Sequence, residues 1–574
     1  MCGIAGIISP YDRKKTLDKM LQEQKHRGPD HTGTYIDNGY VFLGHNRLSI
    51  IDLSEAANQP FPDNSCRYYL SFNGEIYNYK ELKAELGSKY SFRTNSDTEV
   101  LLAAYIVYGK ECLEKLNGMF SFVIWDAKEK SMFAARDRFG VKPFYYSENS
   151  GELYFASEIK SIQAVKPSAQ NKKVWANYFA YGSYGKPDET FYKDIFQLPA
   201  GHFLTFKDGQ LNIEKWYDFV ENVNKVQVSD DFEKTKSQYL KILKDSISLR
   251  FRADVVIGFN ISGGVDSSLL LALVNQYEKK EKIRAYTFYT GDERYDELPW
   301  VQRMIDETQN PLTKVRLNVK EIEELSEKTS CFQDEPFGGF PTIAYSKIFQ
   351  QARKDNILVL LDGQGMDEQW AGYDYYAGKS TTTIQGQNGI TSTFKEHCLS
   401  EELMQYAENP EYPEPFDSHF QNLQYRDLFY TKIPRAIRFN DRISMAHSTE
   451  LREPFLDYRL VEFAFAQPDH YKIKGSVHKY LLRELVKDMV PSDISYAPKR
   501  PLQTPQREWL GENLTSWVEE QLNQMASSEY SNWFDLDQMQ KEWEKYKIGE
   551  RQSSFHIWQW INASLIASKF RETS

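Results

Sequence analysis

No stretch of the chain approaches the roughly 18–20 consecutive apolar residues that span a bilayer, and Asp12, Arg13, Lys14 and Lys15 stand where a signal peptide would carry its apolar core. A cytoplasmic protein with no membrane partner is expected. Cysteine is scarce: Cys2, Cys66, Cys112, Cys331 and Cys398 are odd in number, widely spaced and without a CxxC pair, so neither a disulfide framework nor a zinc site is indicated. Positive charge is also in deficit. Against 81 Asp and Glu stand 70 Lys and Arg, a formal charge of −11, which argues against a general nucleic-acid binder. No internal repeat is found.

What is present is material for large cores: 574 residues, 41% hydrophobic and 14% aromatic, enough for two large domains. The first 210 residues read as short strands between turn signals: CGIAGII, YVFLGH, RYYLSFNGEIYN, FSFVIWD, SMFAARD, ELYFAS and HFLTF. Helical runs are predicted near Thr16–Lys25, Tyr79–Glu85 and Thr98–Tyr108. This is an α+β pattern rich in antiparallel strands. The polar stretch Glu221–Asp231 reads as a linker, dividing the chain into domains over 1–215 and 225–574.

Beyond it, a helix over Phe232–Phe251 precedes the strand VVIGFNI, a Gly-rich turn, the helix SLLLALVNQY and the strands IRAYTFYT and NILVLLD. Strands alternating with helices imply a parallel, helix-covered sheet, an α/β domain with a largely helical C-terminal part after about Tyr373. Gly378–Ser392, rich in Gly, Thr and Gln, reads as an exposed insertion.

The turn Ser262-Gly263-Gly264-Val265-Asp266-Ser267-Ser268 lies between an apolar strand and an apolar helix. As a plain Gly-rich turn it would only cap the helix. As an anion cradle, its glycines admit a ligand to the backbone, its hydroxyls donate and the helix N-terminus aims its amides at the same place. It lacks both a Walker-type ending and a dinucleotide fingerprint. Asp266 inside an anion site calls for a shared cation, so Mg²⁺ is expected. A second loop, Asp362-Gly363-Gln364-Gly365-Met366-Asp367-Glu368, follows the strand ILVLL, at the carboxyl edge where open α/β sheets bind ligands. Its Asp367 and Glu368 fit metal or substrate, or a solvated helix start. Tyr289 and Thr290, after IRAYTFYT, share that edge.

Cys2 follows Met1 directly. It reads either as a small buried residue at a chain start or, once Met1 is removed, as a nucleophile carrying its own base. A free α-amine titrates near about 7.7–8.0 and a thiol near about 8.5, so the amine accepts the thiol proton at neutral pH.

Taken together, Met1-Cys2-Gly3-Ile4-Ala5-Gly6, His26-Arg27-Gly28-Pro29-Asp30, Arg47-Leu48-Ser49-Ile50, Asn73-Gly74-Glu75-Ile76-Tyr77-Asn78 and Arg136-Asp137-Arg138-Phe139-Gly140-Val141-Lys142-Pro143 resemble the class II glutamine amidotransferase domain. SGGVDSS resembles the loop of N-type ATP pyrophosphatases. With Met445-Ala446-His447-Ser448-Thr449-Glu450-Leu451-Arg452-Glu453-Pro454-Phe455-Leu456-Asp457 added, nearly the whole chain resembles, in order, the glutamine-hydrolysing asparagine synthetase family.

The resemblance implies an N-terminal-nucleophile αββα sandwich, an ATP pyrophosphatase domain and an ammonia tunnel. It implies ATP and Mg²⁺ as cofactors, L-glutamine and aspartate as substrates, and a homodimer. It makes Cys2 the nucleophile and Asn73 with the Gly74 N–H the oxyanion hole. Glutamine would meet Arg47, Leu48, Ser49, Ile50, Ile51, Asn73, Gly74, Glu75 and Asp97. Arg47 would clamp the α-carboxylate, and Asp97 with Glu75 would hold the α-ammonium. ATP would meet Asn260, Ser262, Gly263, Gly264, Asp266, Ser267, Tyr289, Thr290, Asp362 and Gly363. Metal would fall to Asp266 and Asp367, and Lys479 would stabilise charge as the acid attacks phosphorus.

Gln364, Asp367 and Glu368 are the acceptor-site candidates. Here the chain departs from the family pattern, with Gln364 for a common Glu, Asp362 for a Ser, Met366 for a small residue and Asn260 for an apolar one. The run Ala497–Leu510, with Lys499, Arg500 and Arg507 among prolines, differs too. These departures bear on the acceptor, and amidation of another carboxylate, such as a uronic acid in envelope polysaccharide assembly, is the alternative. Sugar-phosphate and phosphoribosyl amidotransferases share the N-terminal motifs but not SGGVDSS. A regulator that binds without turnover has no use for Cys2.

Overall fold

The computed structural model describes residues 2–277, 282–378, 393–497, 504–550 and 553–572. Gly378–Ser392 lies outside the described residues from 379 onward, and the Ala497–Leu510 run lies outside them over 498–503.

Two six-stranded sheets form the first half. One is ordered Phe196–Gln197, Tyr145–Asn149, Glu152–Ala156, Gly3–Ile8, Val41–Arg47, His31–Asp37. The other is ordered Gln210–Lys215, His202–Lys207, Ser131–Arg136, Gly118–Asp126, Tyr68–Ile76, Phe61–Pro62. Their recorded pairings are antiparallel. Alternation along each strand explains the stacking, since successive side chains point to opposite faces. Ile4 and Ile8 pack with Val123, Trp125 and Ala134 between the sheets. Ala5 and Ile7, one residue out of phase, meet Leu17, Met20, Ile159 and Ile162 on the helices outside. Phe120, Phe122 and Ile124 turn outward onto Leu82, Leu86 and Leu101. The result is helix, sheet, sheet, helix: the αββα sandwich expected.

The second half is built on a five-stranded sheet ordered Leu312–Arg316, Ala285–Tyr289, Ile257–Asn260, Val359–Leu361, Glu450–Arg452, every pair parallel. The chain leaves Ile257–Asn260 toward one edge, then returns through Val359–Leu361 on its other side. The strand order therefore reverses between these two, which is where open α/β sheets open a crevice for ligands. Both candidate loops begin there.

The expected linker is partly helical. Phe219–Lys225 forms a helix, with the Asp218 carboxylate accepting the Glu221 N–H at 2.9 Å. Phe219 and Val223, four residues apart and so on one face, are buried with Phe139 from the first half and Val461 and Phe465 from the second. The polar composition hid a two-residue apolar stripe that joins the halves.

A buried ion network makes the same join. Arg27, inaccessible to solvent, reaches Asp441 from the far half at 2.9 and 3.2 Å and Glu158 at 2.9 Å. The Arg442 guanidinium donates to the Ser157 carbonyl at 2.8 Å. Burial opposes the charge on Asp441, but Arg27 and Lys142 outweigh it and hold its carboxyl below the usual range. A depressed carboxyl stabilises the fold above its unfolded pKa and loses that contribution as pH falls through the folded value. Asp441→Asn is expected to cost about 3 kcal/mol at pH 7 by leaving Arg27 half-paired. In denaturant titrations the gap from wild type should narrow on acidification below about pH 4.

Candidate functional site

Cys2 leads directly into Gly3–Ile8, at the interior end of a central strand, and is 7% exposed. Its N–H donates to Asn73 Oδ1 at 3.2 Å, and its Sγ lies 3.9 Å from the Leu48 carbonyl. Its own carbonyl accepts from Arg27 Nε at 3.0 Å. Burial pushes the thiol above its ordinary pKa, so it needs a base to become a nucleophile. Asn73 and Gly74 lie on Tyr68–Ile76, opposite Ser121 and Phe120. Asn73 Nδ2 is 3.5 Å from Ser157 Oγ, which accepts from the Ile4 N–H at 3.0 Å. Gly74 has φ +154°, and a β-carbon there would lie 2.1 Å from the Met119 carbonyl oxygen, so only glycine fits.

Leu48, Ile50 and Ile51 are buried with Tyr77 and Met119, and also with Leu249, Val359 and Met445 of the second half. The Ser49 N–H donates to Asp30. Arg47 departs from the expectation of a guanidinium open for a two-pronged clamp. Its Nη1 donates to the Ser54 carbonyl at 2.7 Å and Asn58 Oδ1 at 2.9 Å, and its Nη2 to the Asp52 carbonyl. In this state Arg47 folds its own loop.

Asp97 opens the helix Asp97–Tyr108, and its carboxylate accepts the Ile76 N–H at 2.9 Å. Burial raises its pKa to about 6. Glu75 is raised further by burial, then by Glu450 and Asp97, and its Oε2 is buried without a hydrogen bond, 3.6 Å from Arg452 Nη2. Two buried carboxyls of raised pKa beside the thiol favour a cationic visitor, which would let both ionise.

At the carboxyl edge of the parallel sheet lies a cleft of about 720 Å³, lined by Ser262 to Ser267, by Asp362, Gly363, Gln364, Gly365 and Asp367, and by Lys479. Lys479 unites the two loops. Its ammonium lies 2.5 Å from Asp266 Oδ2 and 2.7 Å from Asp367 Oδ1. Burial alone would discharge it, but the two carboxylates hold its pKa up. Lys479 takes φ +55° at the end of the short hairpin Ile473–Lys474 and Val477–His478, and His478 Nδ1 is fixed 2.8 Å from the Ala371 carbonyl. The Ser267 hydroxyl reaches the Gly264 carbonyl at 3.2 Å, tightening the turn. Burial raises Asp362 to about 6, opposed by the Gly363 N–H it accepts at 2.6 Å.

Three expectations need correction. Glu368 does not line the cleft: on the helix Met366–Trp370 it is one residue, about 100°, from Asp367, and it sits behind the cleft-lining Tyr373, whose hydroxyl it accepts at 2.7 Å. Thr290 is spent on Asp296, to which its N–H and hydroxyl donate at 2.7 and 2.8 Å. Tyr289 ends the strand Ala285–Tyr289 without lining the cleft, whose wall there is Glu297 and Trp300. Asn260 lines a smaller adjoining cavity with Thr287 and Tyr345. Among the described residues no group of three His, Cys, Asp or Glu forms a metal cage.

Two residues went unforeseen. Glu453, buried and pushed well above the usual carboxylate range by burial and then by Asp362, lines a small cavity between the halves. Gly372 carries no motif signal, yet a β-carbon there would lie 1.7 Å from Asp367 Oδ1 and 2.4 Å from Lys479 Cε. Its position after the acidic loop was the only available hint.

Residues 1–217 match the model of the glutamine amidotransferase domain, and residues 238–569 that of asparagine synthase. Asparagine synthetase (glutamine-hydrolyzing) 1 of Bacillus subtilis (strain 168) is 30% identical over 593 residues, covering 92% of this chain and 91% of the relative. Asparagine synthetase (glutamine-hydrolyzing) 3 of the same organism is 29% identical, covering 90% and 89%. Amidase chry2 of Gibberella zeae is 27% identical, covering 91% of each chain.

Gly372→Ala should force Asp367 and Lys479 apart and cost about 1–3 kcal/mol by overpacking. Gly87→Ala, whose β-carbon would meet only ordinary contacts at 3.5 and 3.7 Å, should stay within about 0.5 kcal/mol of wild type. Paired denaturant titrations measure the difference.

Proposed function

Because the chain belongs to the glutamine-hydrolysing asparagine synthetase family, we propose that it amidates aspartate through an acyl-adenylate, with ATP as the driving reagent and ammonia released from glutamine at Cys2. A glutamine-dependent carbon–nitrogen ligase is the coarser statement, and the family supports it directly. The observation that carries the finer reading is the Lys479 ammonium held between Asp266 and Asp367 in a cleft at the strand-order reversal.

In the first site, removal of Met1 frees the Cys2 amine, whose nitrogen already sits 3.2 Å from Asn73 Oδ1. The thiol proton passes to this amine, directly or through a water, and the thiolate attacks the side-chain carbonyl carbon of glutamine. The tetrahedral oxyanion accepts from Asn73 Nδ2 and the Gly74 N–H. Collapse expels ammonia and leaves a thioester that water hydrolyses. The substrate ammonium is the cation that Glu75 and Asp97 await, and Arg47 would take the α-carboxylate after releasing part of its loop.

In the second site the acceptor carboxylate attacks the α-phosphorus of ATP and pyrophosphate leaves into the Ser262–Ser267 turn. Lys479 stabilises the charge that develops. Asp266 and Asp367 offer hard oxygen donors and fit Mg²⁺, which takes one or two protein carboxylates and completes its shell with phosphates and water. When bound it would neutralise charge on the phosphates. Ammonia then attacks the acyl carbon and AMP departs. Water reaching the adenylate would hydrolyse it, so ammonia is best delivered through the protein. In this reading 1–215 releases ammonia and 225–574 consumes it.

Cys2→Ala should lose glutamine hydrolysis by at least about 10³-fold and keep ammonia-driven pyrophosphate release. Loss of both in a folded variant would refute the two-site assignment. A pyrophosphate-release screen across carboxylic acids should respond to L-aspartate. A flat response to aspartate with a rise for a uronic acid would move the acceptor to the alternative.

A further inference from the structure

A separate cavity of about 70 Å³ lies between the two halves, lined by none of the residues assigned above to glutamine or nucleotide. Its floor is the segment from Tyr181 to Pro187, after the helix Lys172–Tyr181, and its opposite wall is the start of the helix Lys432–Met445 with the π-helical turn Asp427–Thr431 before it. π-Helical turns recur at functional sites.

The charges lining it do not balance. Three cations, Lys186, Arg435 and Arg438, face two carboxylates, Glu189 and Glu335, apart from Lys432, which is engaged, in a chain whose formal charge is −11. Both carboxylates are engaged. Glu335 takes Arg438 at 2.5 Å and the Phe191 N–H at 2.9 Å, and Glu189 accepts the Lys186 N–H at 2.9 Å. Arg435 has no acidic partner among the described residues, and its guanidinium rests 5.7 Å from the Tyr184 ring centre.

The polar accounting shows the same deficit. Tyr145 lines the cavity, is 1% exposed, and its hydroxyl has no hydrogen-bond partner among the described residues. Arg438 Nε is likewise buried and unsatisfied. Buried donors left unmatched are rare and call for an acceptor. Arg438 Nη2 is taken by the Pro336 carbonyl at 2.6 Å, so the Arg435 fork, Arg438 Nε and the phenol hydroxyl remain to meet the paired oxygens of a carboxylate or phosphoryl group.

We propose that this cavity is an anion-binding site that holds a small molecule by a carboxylate or phosphoryl group, between Arg435, Arg438 and the Tyr145 hydroxyl. Its place in the fold gives such a ligand reach. Arg435 and Arg438 share a helix with Asp441 and Arg442, which hold Arg27 and the Ser157 carbonyl beside Cys2. Lys432, at the start of that helix, lies 4.9 Å above the ring of Tyr373, a wall of the nucleotide cleft. The occupant therefore meets a helix that touches both candidate sites.

Titration calorimetry on the full chain tests the assignment, with inorganic phosphate and succinate as the two probes. Wild type should bind at least one of them ten-fold or more tightly than Arg435→Gln, with Tyr145→Phe intermediate and all three melting alike. Preference for phosphate identifies a phosphoryl ligand and preference for succinate a carboxylate. Binding at the nucleotide cleft contributes equally to all three proteins and cancels. Equal affinity of wild type and Arg435→Gln for both probes, or no binding to wild type, overturns the proposal. If Arg435→Gln fails to fold, Tyr145→Phe decides, since unchanged affinity there has the same consequence.

Discussion

Arg27 is the residue on which the rest of the arrangement depends. Taking a guanidinium out of water costs several kcal/mol unless its donors are matched, and Arg27 is wholly buried. Its Nη groups are matched by Glu158 from the first half and Asp441 from the second, and its Nε by the Cys2 carbonyl. The cation is tolerable only when both halves are folded and docked, and Cys2 is positioned by that same event. A hydrophobic seam of Leu48, Ile50 and Ile51 on Leu249, Val359 and Met445 supplies the area, while the ion network supplies register.

The two candidate sites use burial in opposite ways. Around Cys2, burial is only partly compensated, and the thiol, Glu75 and Asp97 all sit above their ordinary pKa values. That environment is set for a substrate that brings its own positive charge. In the cleft of the parallel sheet Lys479 is compensated, because Asp266 and Asp367 hold it charged. A polyphosphate entering there meets a cation already in place, and it must share that cation with two carboxylates, which is the circumstance in which a divalent metal becomes useful.

The fold was largely legible along the chain. Period-two alternation in CGIAGII and FSFVIWD carries the stacked sheets, and the apolar strands of the second half carry the parallel one, because both are local consequences of which face meets a core. The helix that opens the second half ended within one residue of expectation, Phe232–Arg250 for Phe232–Phe251. The helix at Phe219 escaped notice because two apolar side chains in a polar run give a weak signal until their partners are known. Glu368 was grouped with Asp367 by adjacency, whereas a helix turns neighbours about 100° apart. That the donors of Arg47 are held by its own loop is likewise seen only in the folded chain.

Sequence by itself determined the order of the motifs, the two sheet types and the placing of both loops at strand ends, since turn chemistry and hydrophobic period are properties of neighbouring residues. Only the tertiary structure decided which of those side chains meet. Lys479 lies 213 residues from Asp266, and Asp441 lies 414 from Arg27. Such pairings carry no local signature, because the energy that selects them is the desolvation of one charge relieved by another that the chain brings in from far away. Gly372 belongs to the same class, its missing side chain required only because Asp367 and Lys479 close over it.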